Sequence, residues 1–146
     1  MLPATLGATS GQATIYIREC SLKNSLIKPD SFLSEELVKM STVDIFASEH
    51  NIKRIDLLKI DTEGFDLEVL KGAENMLASG RVSFVLTEVG FHLSDKSHIL
   101  FDEVRKFLLE KGFSVFGFYG QTLEWSGERR LRFADTLFAY EHTLSS

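Results

Sequence analysis

Cysteine is almost absent from this chain. One residue, Cys20, stands among 146, so no internal disulfide can form, and the usage fits a reducing, cytoplasmic compartment. Cys20 itself reads as a small buried or half-buried side chain. No apolar run approaches the ~20 residues that a membrane helix needs. The first residues lack a basic start followed by an apolar block, so no signal peptide is expected. Clustered basic charge is missing too. Net charge is −5 with Lys and Arg scattered, which argues against a nucleic-acid partner. No internal repeat and no low-complexity tract interrupts the chain.

The remaining composition is ordinary: 44% apolar and 25% charged residues, with twelve Phe to fill a core. Such a chain is long enough for one domain with a single core.

The informative stretch runs from Ile55 to Leu77. Ile55, Leu57, Leu58 and Ile60 form a short apolar run suited to a buried strand. Phe65, Val69, Leu70, Ala73, Met76 and Leu77 recur at three- and four-residue steps and predict a helix with one apolar stripe. Between them lie Asp61, Thr62, Glu63 and Gly64. The carboxyl end of a strand that hands over to a helix is where open parallel sheets bind ligands.

Lys59-Ile60-Asp61-Thr62-Glu63-Gly64, followed by Glu68-Val69-Leu70-Lys71-Gly72-Ala73, resembles the signature of the FkbM-type methyltransferases. These are S-adenosylmethionine-dependent enzymes, mostly O-methyltransferases of sugar and polyketide hydroxyls. The family usually has Val where this chain has Thr62. The resemblance extends more weakly over most of the chain and covers the carboxyl-terminal portion of the family's domain.

Around this centre the chain reads in order. Leu2, Ala4 and Leu6 alternate like the tail of a strand, Gly7 to Gly11 is a turn, and Ala13 to Ile17 is a strand. Glu19 to Ser34 is a long loop, which the resemblance puts near the substrate side. Ser34 to Lys39 is ambiguous between helix and strand. Thr42 or Asp44 caps a short helix. Gly72 falls mid-helix, for which tight packing of helix on sheet is the expected reason, and Gly80 stops that helix. A strand from Val82 ends at Thr87-Glu88, and Val89 to Asp95 is loop. A helix starts at Ser97, Phe113 to Phe118 is a strand, Tyr119 to Arg132 is a polar connection, and Ala134 to Tyr140 is the last strand. The short link between the final two strands predicts an antiparallel pair.

The order strand–helix–strand–helix–strand–strand, with the resemblance, predicts an α/β fold. The expected architecture is a partial Rossmann-like methyltransferase sheet, mostly parallel with an antiparallel C-terminal strand and helices packed on it. Residues 1–146 are expected to form one incomplete domain that lacks the N-terminal glycine-rich cofactor turn. Gly7 and Gly11 precede the first convincing strand and are followed by no helix. S-adenosylmethionine, the cofactor that the resemblance implies, is therefore expected to bind weakly to this chain alone. An exposed sheet edge is expected to favour association.

The candidate catalytic residues are Asp61, Glu63 and Glu88. If the strands ending at Asp61 and Glu88 are neighbours, they lie about 4.8 Å apart and share a crevice. A carboxylate there takes a proton from a small-molecule hydroxyl substrate, holds that hydroxyl, or binds a metal. No metal is assigned. Asp61 and Thr62 also face the cofactor by resemblance. Position alone favours helix capping for Glu63. The histidines show no metal-ligand spacing; His92, in the loop after Glu88, is the one placed to shuttle a proton, although a surface role is the default. Trp125 and Tyr119 either line a substrate mouth or anchor the final hairpin. Arg129, Arg130 and Arg132 read as a solvated turn first and as a grip on an anionic sugar or phosphate second. Two other functions compete with methyl transfer. One is a non-catalytic binding or assembly module derived from the fold. The other is a metal-dependent hydrolase using Asp61, Glu63 and Glu88.

Overall fold

The computed structural model describes residues 5–18, 25–95, 97–124 and 130–143. Eight strands and four α-helices follow in the order β1 (Thr5–Leu6), β2 (Gly11–Ile17), β3 (Ser34–Ser41), α1 (Val43–Glu49), β4 (Ile55–Ile60), α2 (Asp66–Lys71), α3 (Glu74–Ala78), β5 (Val82–Gly90), β6 (Ile99–Leu100), α4 (Phe101–Leu109), β7 (Phe113–Leu123) and β8 (Leu131–Tyr140). A 3-10 turn, Glu141–Thr143, follows β8. The predicted roles of Cys20, Trp125 and Arg129 lie outside the described residues. No helix among the described residues is long and apolar enough to cross a membrane.

The strands form two sheets. The smaller has the order β1-β3-β2 and the larger β4-β5-β8-β7, with β6 also pairing with β5. The expected mostly parallel sheet is not what forms. Strand accounts for 44% and helix for 24%, and the pairing is mixed. β4 pairs parallel with β5, whereas β8 lies between β5 and β7 and is antiparallel to both. In the smaller sheet β2 and β3 are antiparallel. The cause in the larger sheet is the return from β7 to β8. A short return can pair only antiparallel, and β8 then occupies the place beside β5 that a parallel strand would have taken. The final pair is antiparallel as the short link implied.

The hydrophobic core fills one face of the larger sheet. Val85 and Val89 on β5 and Phe138 on β8 pack with Leu70, Met76, Leu77, Val104 and Leu108 from the helices, all nearly or wholly without solvent contact. Strand alternation sends the other set of side chains to the opposite face. There Phe84, Leu86 and Leu137 are half-buried, while Leu57 and Phe116 are more than half exposed. The apolar stripe predicted from Phe65 to Leu77 does face the core, but it belongs to two helices.

The break falls at Gly72 and Ala73. A Cβ on Gly72 would stand 2.0 Å from the Gly7 carbonyl oxygen and 3.2 Å from Thr42 Cβ, so the helical segment touches the turn after β1 with backbone. The first turn of α1 finishes the junction. Thr42 caps α1 through Ile45 N, as one of the two expected caps. The other, Asp44, caps a different helix: its carboxylate accepts from the backbone N–H groups of Asn75 and Met76 at 2.9 Å each, at the start of α3. The Asp44 N–H donates to the Gly72 carbonyl. Gly80, in the left-handed region at φ 67°, ends α3 as its sequence position implied.

Other corrections are local. Ser34 to Lys39 resolves as strand. β5 continues two residues past Glu88 to Gly90 because β6 pairs with it at Val89 and Gly90. The helix expected from Ser97 starts at Phe101. β7 and β8 extend well into the stretch read as polar connection.

Candidate functional site

Asp61 follows Ile60 at the tip of β4, and Ile60 pairs with Thr87 on β5. The next position along each strand is Asp61 and Glu88. Glu88 in turn lies opposite Asp135 on β8, and Asp135 opposite Tyr119 on β7. Registered neighbours share a face, so Asp61, Glu88, Asp135 and Tyr119 form one polar row across four strands. It borders the half-bare apolar face. β7 is irregular here, with a register shift between Tyr119 and Thr122. Gly120 has φ 51°, and a Cβ on it would lie 2.6 Å from Asp135 Oδ2, so the bulge makes room for that carboxylate.

The candidate acids differ in surroundings. Asp61 is largely exposed and sits 3.2 Å from the Lys59 ammonium. It borders a mostly apolar cleft of about 480 Å³ between the two sheets, lined by Leu6, Ile15, Leu26, Leu58, Lys59 and Thr62 among others. Glu63 sits in the left-handed region at φ 52° and turns toward a second, more polar cleft shared with Arg18, Lys28 and Ser97. The structure therefore brings Asp61 and Glu88 together and sends Glu63 elsewhere.

The Thr62 hydroxyl donates to Asp66 Oδ2 at 2.8 Å, and Thr87 donates to Asp66 Oδ1 at 2.8 Å. Asp66 is only 2% exposed. This buried carboxylate links the turn after β4 to β5 and was missed in sequence because it resembles an ordinary acidic first turn of a helix. The expected side of Thr62, toward cofactor, is thus occupied in part by a structural bond.

Glu88 has the most developed surroundings. Its Oε2 lies 2.7 Å from His98 Nε2, and His98 Nδ1 lies 2.8 Å from Asp95 Oδ2. Asp95 also accepts from the Ser97 N–H at 2.9 Å and from Arg132 Nε at 3.4 Å. The imidazole stacks on Phe133, centroids 4.3 Å apart. Burial pushes the Glu88 carboxyl above its usual range against the opposing pull of His98, and the charges of Asp135 and Asp61 push it further up. For Asp95, burial also pushes upward, but the bonds from His98 and Ser97 and the charges of His98 and Arg132 outweigh it and hold the carboxyl below its usual range. His98, not His92, is therefore the histidine that meets Glu88. Arg132 belongs to this cluster and not to a solvated turn.

Among the described residues no group of three or more His, Cys, Asp or Glu is placed to hold a metal ion. The glycines near the start of the chain form no cradle. A Cβ on Gly7 would strike Met40 Sδ at 2.5 Å, so protein already fills that space, and Gly11 opens β2. The described residues supply an acid-lined sheet tip and no glycine turn able to wrap a nucleoside.

β4, the helices after it and β5 form a parallel strand–helix–strand unit with acids at its tips, the edge at which such units bind ligands. Residues 3–115 match the family model described as the methyltransferase FkbM domain, and the chain belongs to that family. No curated protein and no solved structure matches it.

Proposed function

We propose that this chain carries the acceptor side of an S-adenosylmethionine-dependent methyl transfer to a hydroxyl of a sugar or polyketide-like small molecule. The observation that supports this best is the side-by-side position of Asp61 and Glu88 at the tips of paired parallel strands, within a family of methyltransferases. The donor, when bound, supplies an electrophilic methyl group. What this chain must then do is hold a hydroxyl and receive its proton. Asp61, exposed beside the inter-sheet cleft, orients the hydroxyl, and Glu88 stands one strand away to take the proton. Since no glycine cradle forms among the described residues, binding of S-adenosylmethionine to the chain is expected to be weaker than micromolar by calorimetric titration.

The test is transfer of labelled methyl from millimolar S-adenosylmethionine to a panel of sugars and polyols. Wild type is expected to transfer, and Asp61→Asn to lose about 10²-fold or more. Absence of transfer to every hydroxyl would favour the second reading, a non-catalytic binding or assembly module, to which the bare face around Leu57, Phe84 and Phe116 lends weight.

A further inference from the structure

We propose that His98 and Asp95 are positioning residues that couple to Glu88 as one proton-handling unit, Glu88–His98–Asp95, with Glu88 as the group that accepts the hydroxyl proton. The inference rests on the hydroxyl-methylation reading and adds residues that the resemblance does not assign.

The geometry carries it. Both ring nitrogens of His98 face carboxylate oxygens, at 2.7 and 2.8 Å. A bond that short between an imidazole nitrogen and a carboxylate oxygen holds a proton, because two lone pairs would repel. The imidazole cannot rotate away: it is 9% exposed and flat against Phe133. Asp95, 2% exposed, is itself fixed by Ser97 and Arg132. Only Glu88, 31% exposed, opens toward the polar row. Its second oxygen is the end of the chain that a hydroxyl can meet. A sulfonium donor would give up its methyl carbon to the acceptor oxygen as its carbon–sulfur bond broke, and the proton lost by the hydroxyl would pass to that second oxygen of Glu88. The proton held in each of the two short contacts of His98 stays within that contact. Water then removes the proton from Glu88. The charged groups that bear on this unit are Asp61, just past the end of β4, and Asp135 and Arg132 from β8. Burial and the two flanking carboxylates make Glu88 a stronger base than an ordinary glutamate, which is what proton removal from a hydroxyl asks of it.

Simple electrostatics and a coupled unit predict opposite signs, and that decides the test. The Glu88 carboxyl carbon is followed by NMR through a pH titration of the full chain, wild type against Asp95→Asn. If Asp95 acts on Glu88 only through space, removing its negative charge lowers the Glu88 midpoint. If it acts through His98, losing the anion that holds the Nδ1 proton makes the imidazole a poorer partner, and the midpoint rises by at least about half a pH unit. A fall or no change overturns the unit. His98→Gln gives a second reading at a separate position: the midpoint must rise by a similar amount, and an unmoved midpoint overturns the proposal even if Asp95→Asn does not fold. None of these titrations needs turnover. A coupled midpoint in a chain that methylates no hydroxyl would overturn the catalytic use, whereas methylation with an uncoupled midpoint would overturn the unit and leave the functional reading standing.

Discussion

The two sheets solve the same backbone problem with different means. The larger one carries an apolar face covered by helices, and β5 alone gives it Val85 and Val89 with no solvent contact. The smaller one contributes no buried apolar side chain to the core from β1, β2 or β3. Most of β3 is exposed, Leu37 at 72% and the Glu35–Glu36 pair among it. Its strands are held by ladder bonds and by a seam at Gly7, Ser41 and Gly72. Hydrogen bonds exchanged with water contribute modestly in net, about 0.5–1.5 kcal/mol each, so the smaller sheet is the part that opens first under native conditions. The lesson is that pairing defines this region's shape and burial defines the other's stability.

That contrast can be broken most forcefully at Leu70, which is 0% exposed beneath β5. Leu70→Ala is expected to cost about 2–5 kcal/mol, read by denaturant unfolding; a loss below ~1 kcal/mol would mean that the core does not carry the larger sheet. Next comes the seam. Gly72→Ala forces a methyl against the Gly7 carbonyl and is expected to cost about 1–3 kcal/mol, with amide exchange accelerating in β1 and β3 before β5. Uniform acceleration across both sheets would show that they open as one unit. A smaller effect sits at the polar tip. The folded-state Asp95 carboxyl is held below its usual range, so its contribution is present above the unfolded value of about 3.9 and is lost as pH falls through the lower folded value. Asp95→Asn should therefore flatten the rise of stability with pH in that acidic window, read by denaturant unfolding at a series of pH values. The smallest effect is expected at Leu37→Ala on β3, within about 0.5 kcal/mol; a cost of 2 kcal/mol would show that something covers that face.

Much of this was legible in the residues. The run from Ile55 to Ile60 and the stripe from Val69 to Leu77 announced a strand and a buried helical face, because periodicity records burial directly. The same runs put Asp61 and Glu88 at the ends of strands, but that those strands are neighbours was only a condition, and the pairing of β4 with β5 meets it. What escaped has a physical explanation in each case. Ser34 to Leu37 lacks alternation because both faces of that half of β3 meet water. The helix break at Gly72 depends on Gly7, sixty-five positions earlier, and no local pattern reports a contact at that distance. The insertion of β8 between β5 and β7 is a choice of sheet order, to which strand sequence is nearly blind. His98 carries no spacing signal toward Glu88. It reaches that carboxylate because β6 pairs with the end of β5, and β6 is only two residues long.

The buried Asp66 carboxylate has one more effect. By clamping Thr62 with one oxygen and Thr87 with the other, it ties the two strand tips together one residue after Asp61 and one residue before Glu88. The backbone spacing beneath those two acids is thereby tied to a carboxylate that solvent hardly reaches.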